Sequence, residues 1–343
     1  MRVHGVLTER QKAILDLIVE DYVRDASPIG SETLGRQHKL GASSATIRND
    51  MVELEQEGYI TRQHSSSGSV PLDKAYRLYV ETVAAQEADL IPAAIRESIR
   101  SRLTEVERHI DEWTNVAARL LAGLVGNLAV ATFPKAVEPR VCHVELVYIR
   151  EFLVMLIVVL EQARLRRQLV RITEDVDIQE TSNKISEQVV GHTWREIEER
   201  EALLSPVEEE LVSTAVAILR EEDRNAYRDH HFDGLRNLLG QPEFSDNDKV
   251  QTVVESVEDG TLVQAVLDEA PESGVVRVVI GQESRGDLLW PLSVVIGRYG
   301  WDGEVMGAVG AVGPMRMEYQ RTIASVELMS HAMSDMFGTL QGS

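Results

Sequence analysis

Three groups of residues have types and spacings that could do chemistry on a substrate. His230 and His231, with Asp229 and Asp233, supply metal-capable nitrogens and oxygens. Adjacent histidines point differently in any regular element and no i, i+4 pair of the HExxH kind is present, so no metal is expected there. Gly307, Gly310 and Gly313 form GxxGxxG before Pro314. The spacing is neither GxGxxG nor GxxxxGK and no Lys follows to meet phosphate, so a strand-to-turn-to-helix junction is the better account. Cys142 and His143 sit at a predicted strand start, where side chains alternate faces; that makes a poor nucleophile and base pair, and a buried structural cysteine is expected. No catalytic residue and no cofactor follow from these patterns.

A different set suits nucleic acid. On a helix beginning at Ser43, Ile47, Met51 and Leu54 recur at i, i+4 and i+7 and face a core, while Ala45 and Asn49 project oppositely, flanked by Thr46 and Arg48. Such a face fits a major groove: small residues permit close approach, Asn bonds adenine, and Arg bonds guanine or phosphate. Ser43 and Ser44 lie beside the free N–H groups of the helix start, where a phosphate is met. Past this helix, Arg62, His64, Ser67 and Gly68 could follow the phosphate backbone or enter the minor groove. An amphipathic surface helix followed by a solvent loop would share parts of this pattern.

These residues need elements to hold them. Thr8 caps a helix through about Tyr22, carrying Ile14, Leu15, Ile18 and Tyr22 at helical spacing. Ser27-Pro28-Ile29-Gly30 breaks the chain, Ser31 starts a short second helix ending near Gln37, and Gly41 supplies a turn. The third helix runs from its Ser43 cap to about Glu57 and stops at Gly58. Helix, short turn and helix make a helix-turn-helix. Tyr59-Ile60, the tip Ser65 to Ser69, and Val70 then form a hairpin, which in that place is a wing.

Composition bounds the alternatives. The chain has 343 residues, 43% hydrophobic and 27% charged, enough for more than one core. Its longest charge-free run, Leu120 to Pro134, is too short to span a membrane, and Met1 to Arg10 lacks the apolar region of a secretory signal. Cys142 is the only cysteine, which excludes an intrachain disulfide and fits a reducing cytoplasm. The net charge of −21 argues against a polyanion partner until its distribution is read. Residues 1–80 hold 10 Lys and Arg against 11 Asp and Glu, leaving 25 against 45 for the remainder. Leu34 to Asn49 and Gly58 to Leu72 contain no acid at all, so an anion can be met there.

The run SSATIRNDMVELEQEGYI, followed by SSSGSVPLDKAYRLYV, closely resembles the start of the HrcA family of bacterial heat-inducible transcription repressors. DGLRNLLGQPEF at 233–244, IGQESRGDLLWPLSVVIGRY at 280–299 and GAVGPMRMEYQR at 310–321 resemble that family's later blocks, in the same order. Two positions depart from it: Ser69 stands where a basic residue is common, and Met315 where Thr is usual. The resemblance implies an α+β chain: an N-terminal winged helix-turn-helix, a GAF-like α/β domain, and a dimerising domain inserted into it. It also implies a repressor that binds double-stranded DNA as a homodimer, at an inverted-repeat operator of chaperone genes, with activity maintained by the GroE chaperonin.

The remaining pattern is read on that plan. Arg96 to Leu128 is largely helical, with Ile99, Leu103, Val106, Ile110 and Trp113 as a packing stripe. Val144 to Ile149, Phe152 to Leu160 and Leu165 to Ile172 predict three adjacent antiparallel strands. Glu174 to Glu222 reads helical, Val275 to Gly281 and Leu288 to Tyr299 resume strands, and Glu318 to Phe337 is a final helix. The expected division is 1–85 for the winged helix, 86–172 with 248–343 for the GAF-like domain, and 173–247 for the insert. Two other functions fit parts of the sequence. A regulator sensing a small ligand in the GAF-like domain would show a ligand-dependent melting shift, and an enzyme using the glycine-rich turn with His230 and His231 would show turnover.

Overall fold

The computed structural model describes residues 7–38, 40–62, 67–84, 90–106, 110–136, 139–160, 164–174, 176–200, 203–224, 230–271, 276–301 and 305–341. Thr8 opens α1 (Glu9–Asp25) with a capping box, in which Gln11 N donates to Thr8 Oγ1 at 3.3 Å and Thr8 N donates to Gln11 Oε1 at 2.9 Å. The helix outlasts Tyr22 and stops where Ala26 turns left-handed, its N–H closing on Tyr22 O. After α2 (Ser31–Gln37), Ser43 caps α3 (Ser44–Gln56) by accepting from Thr46 N at 3.2 Å. At the other end Gly58 takes φ +75°, Gly58 N donates to Glu55 O and Tyr59 N to Leu54 O, the paired bonds of a Schellman stop.

Strands β1 (Ile60–Arg62) and β2 (Ser69–Pro71) pair antiparallel, with Thr61 opposite Val70. Ile29 extends this ladder through two backbone bonds to Ser69, so the wing root is tied to the turn before α2. The helix α4 (Asp73–Ala84) follows. Ile47, Met51 and Leu54 are buried against Ile14, Ile18 and Leu34, each contributing about 1.5–3 kcal/mol.

The first pass through the body gives α5 (Ala93–Glu105), α6 (Ile110–Val125) and the fully buried β3 (Leu128–Thr132). The chain then leaves for a second compact unit, Phe133–Asp229 with Gly300–Gly307. There β4 (Lys135–Ala136) precedes β5 (Val141–Arg150), β6 (Leu153–Leu160) and β7 (Arg164–Arg171), an antiparallel sheet in the order β5-β6-β7. It is followed by α7 (Ile178–Val189), α8 (Trp194–Glu198) and α9 (Pro206–Arg224). Val144, Leu156 and Val158 meet Ile185, Leu211 and Leu219 in this unit's own core.

On its return the chain forms β8 (His230–Asp233), α10 (Leu235–Leu239), α11 (Asn247–Glu258) and α12 (Thr261–Leu267). Then come β9 (Arg277–Ile280), β10 (Leu292–Trp301), β11 (Val305–Pro314) and α13 (Tyr319–Gln341). The body sheet runs β8-β3-β11-β10-β9, joining strands far apart in sequence. An α+β chain whose body sheet is interrupted by the second unit is what results.

The compact units divide differently from the sequence reading. The strands 141–171 belong to the second unit rather than to the sheet of 86–172 and 248–343, because β6 completes its buried face with α7 and α9. Residues 230–247 belong to the first unit rather than to an insert of 173–247, because β8 pairs with β3, Phe232 opposite Val130. Strand β10 also starts later than Leu288; Asp287–Leu289 forms a 3₁₀ turn first.

The boundary near residue 85 does not separate two cores. Tyr76 of α4 packs on Tyr319 of α13 with ring centroids 6.0 Å apart, and Arg77 binds Glu283 and donates to Val278 O at 2.8 Å. Asp73 Oδ2 accepts from Gln282 N at 3.1 Å. One continuous core takes in Ile14 and Ile47 of the winged helix together with Trp113, Val309 and Met329 of the body.

Candidate nucleic-acid interface

The first two turns of α3 present Ser44, Ala45, Arg48 and Asn49 to solvent, Thr46 half-exposed beside them, and Ser43 exposed at the cap. The opposite stripe is locked into the core, so the rotation of this face is fixed. A second restraint is polar: buried Asp50 takes a two-pronged grip from Arg10 of α1, Nε to Oδ2 at 2.7 Å and Nη2 to Oδ1 at 3.0 Å. That hydrogen bond, with the carboxylate's charge, raises the Arg10 pKa above its ordinary value. Gln11 adds a third tie, donating to Glu53 Oε2 at 2.6 Å. Sequence periodicity found the apolar stripe but not these ties, because partners 40 residues apart leave no local signal.

Three positions of the wing have surroundings that the sequence does not show. Arg62 is not a free cation facing solvent: its side chain is 16% exposed and its Nη2 lies 3.1 Å from Glu55 Oε2, a neighbour brought round by the turn at Gly58. Gly68 also packs closely; a Cβ there would come within 2.6 Å of the Pro28–Ile29 backbone, so the close approach itself demands glycine. Ser69 is fully buried. Ser67 stays half-exposed at the wing root, and His64 lies outside the described residues. Arg36, a cation of the acid-free run Leu34 to Asn49, is exposed on α2 and lines a cleft with Arg48, Arg62, Ser67 and Gly68.

The other chemistry-bearing patterns resolve into structure. Cys142 is exposed, not buried, and so is His143: a register shift in β5 between Val141 and His143 interrupts the alternation. His231 Nδ1 lies 2.8 Å from Thr114 Oγ1 in β8, and among the described residues no group of three His, Cys, Asp or Glu could hold a metal. Gly307, Gly310 and Gly313 lie within β11, ahead of the turn. Built Cβ atoms at Gly310 and Gly313 would meet Val295 O at 2.9 Å and the Asn127 side chain at 2.8 Å, so strand packing accounts for those two. Among the described residues no helix is long and apolar enough to cross a membrane.

A three-helix reader with a two-stranded wing, ahead of an α+β body, defines a winged-helix transcription regulator. Comparison with known proteins is specific. Residues 37–70 match the DeoR-like helix-turn-helix domain, and residues 111–323 match the HrcA protein C terminal domain. The heat-inducible transcription repressor HrcA of Dehalococcoides mccartyi is 35% identical over 340 residues, covering 98% of both chains. That of Herpetosiphon aurantiacus is 32% identical, covering 99% of this chain and 98% of its own. A solved structure of a hypothetical protein shares the fold with a TM-score of 0.61 at 22% identity, covering 97% of this chain and 99% of that one. The chain belongs to the HrcA family of heat-inducible transcription repressors, and its helix-turn-helix makes DNA its partner.

Proposed function

We propose that this repressor inserts α3 into the major groove of an inverted-repeat operator at heat-shock genes. Ala45, Thr46 and Asn49 would lie at base edges, Ser43 and Ser44 at a flanking phosphate, and His64, Ser67 and Gly68 along the backbone beside the wing. The observation that carries this is the first two turns of α3, whose exposed residues from Ser44 to Asn49 include no acid, held by a buried stripe and by the Arg10–Asp50 pair. Small residues there allow close approach, and Asn matches adenine. Arg62 shares the wing-side cleft, but its pairing with Glu55 leaves it a smaller part than a free cation would have.

Binding as a homodimer suits a palindromic operator. The second unit supports this, since Val147, Leu165 and Leu169 stay exposed on one face of its sheet, around Met155 and Val159, an apolar surface of the kind that marks an interface. The roles follow: winged helix as reader, GAF-like sheet as body, second unit as dimeriser. Maintenance by the GroE chaperonin and a cytoplasmic location rest on family membership alone. A footprint on genomic fragments tests the whole. Protection of one inverted repeat is expected, and no protected site at saturating protein overturns the reading.

A further inference from the structure

Charge pairing within the winged helix singles out two side chains. Arg10 is held by Asp50, Lys12 by Glu9, Arg24 by Asp21 and Asp25, Arg62 by Glu55, and Arg77 by Glu283. Lys74 donates to Glu57 O and lies over the Tyr59 ring. Among the described residues 7–84, only Arg36 and Arg48 carry a positive charge with no ion pair and no hydrogen bond. They come from different helices, α2 and α3, yet line the same polar cleft of 350 Å³. Glu32 is the one acid among the residues lining it, and Arg62 adds a buried Nε with no hydrogen-bond partner.

Cations brought to one cleft repel unless an anion lies between them, and planar guanidinium forks match the oxygens of a phosphate. Ser67, Gly68 and Ser69 of the wing root line the cleft as well. We infer that this cleft seats one phosphodiester of the DNA backbone, gripped jointly by Arg36 and Arg48. The inference rests on the operator reading above and deepens it. It makes Arg36 a backbone contact and gives Arg48 to phosphate rather than to guanine. The seat lies between the groove helix and the wing, so it fixes the register of α3 without reading sequence.

The full-length protein tests this by fluorescence anisotropy on operator and random duplexes over a range of salt. Arg36→Ala and Arg48→Ala should each weaken both duplexes by similar factors, about tenfold. Two groups on one phosphate couple, so the double variant should lose less than the product of the single losses. Its log–log salt slope should fall by about 0.9, the value for one phosphate. Arg36→Lys should keep the slope, and melting temperatures should not move, since both side chains are exposed and unpaired.

A slope fall of about 1.8 means two separate phosphates and overturns the shared seat. A loss at Arg48→Ala confined to the operator makes that residue a base reader and overturns the assignment. An unchanged slope in a protein that still binds its operator removes DNA from the cleft and leaves it to a free phosphate anion. If the wild-type protein binds no operator at all, the functional reading fails instead, which is a separate result.

Discussion

Strands β3 and β6 are both apolar, yet only one of them is covered. All five residues of β3 are buried, between β8 and β11 with α6 packed on it. In β6 burial alternates: Val154, Leu156, Val158 and Leu160 are inside, while Leu153, Met155, Ile157 and Val159 are partly open. Their cross-strand neighbours widen the open face, because Met155 lies opposite Val147 and Leu169, and Val159 opposite Leu165. A strand apolar on both faces belongs in a sheet covered on both. The chain meets that demand in the body and leaves it unmet in the second unit, which is why the homodimer proposal places its contact there.

Introducing a carboxylate into each strand gives the largest contrast. Val130→Asp buries a charge with no partner and should cost more than about 4 kcal/mol, leaving little folded protein. Met155→Asp on the open face should keep the circular dichroism of the wild type but sediment as a monomer. Operator affinity should then fall by a factor of about 10² to 10⁴, the gain a linked second reader supplies. If Met155→Asp still sediments as a dimer, this face is not the contact.

The same contrast recurs on α3, between a covered and an uncovered side. Ile47→Ala should destabilise by about 2–5 kcal/mol, read from the denaturation midpoint, because it empties a fully buried site. Asn49→Ala should leave the midpoint alone and weaken the operator, not random DNA, by about 1–3 kcal/mol. Equal losses on both duplexes would move Asn49 from base to backbone. Arg62→Ala should cost only about 0.2–1 kcal/mol of stability, as a partly exposed ion pair does, with no change in salt slope. A slope lowered by about 1 would mean that the Glu55 pair opens when DNA arrives.

What was legible in the sequence was local. Thr8, Ser43 and Gly58 mark helix ends through bonds that span three to five residues, and the structure uses each of them. The three strands from 141 to 171 were equally plain as strands. Their sheet was not, since a β-branched run looks the same whichever neighbours it joins, and here the deciding contacts come from α7 and α9. The recognition face showed in the 3.6-residue period. The surroundings of Arg62 and Arg36 are not legible locally, because a charge's neighbours depend on the fold: Glu55 reaches Arg62 round a turn, and Arg36 shares a cleft with Arg48 only once two helices pack. Cys142 illustrates the remaining limit, since a one-residue register shift undoes an alternation argument.

The smallest expected effect separates the two units by the sign of their acid response. Asp16 of α1 is half-buried, and desolvation raises its pKa, with Glu20 adding and Lys12 opposing. A raised carboxyl contributes fully below its unfolded value of about 3.9 and loses that contribution as pH rises through its folded value. Asp16→Asn should therefore raise the first unit's urea midpoint near neutrality and lose the advantage in acid. Glu208 of α9 goes the other way. The Ser205 backbone N–H, 2.8 Å from Oε2, holds its pKa below the ordinary value, Lys184 assisting and desolvation opposing. A lowered carboxyl stabilises above its unfolded value of about 4.3 and ceases to as pH falls through its folded value. Glu208→Gln should lower the second unit's midpoint at neutral pH and converge on the wild type in strong acid. Urea titrations from about pH 2 to pH 7 check both signs, and parallel curves for both variants would remove these two carboxylates from the acid response.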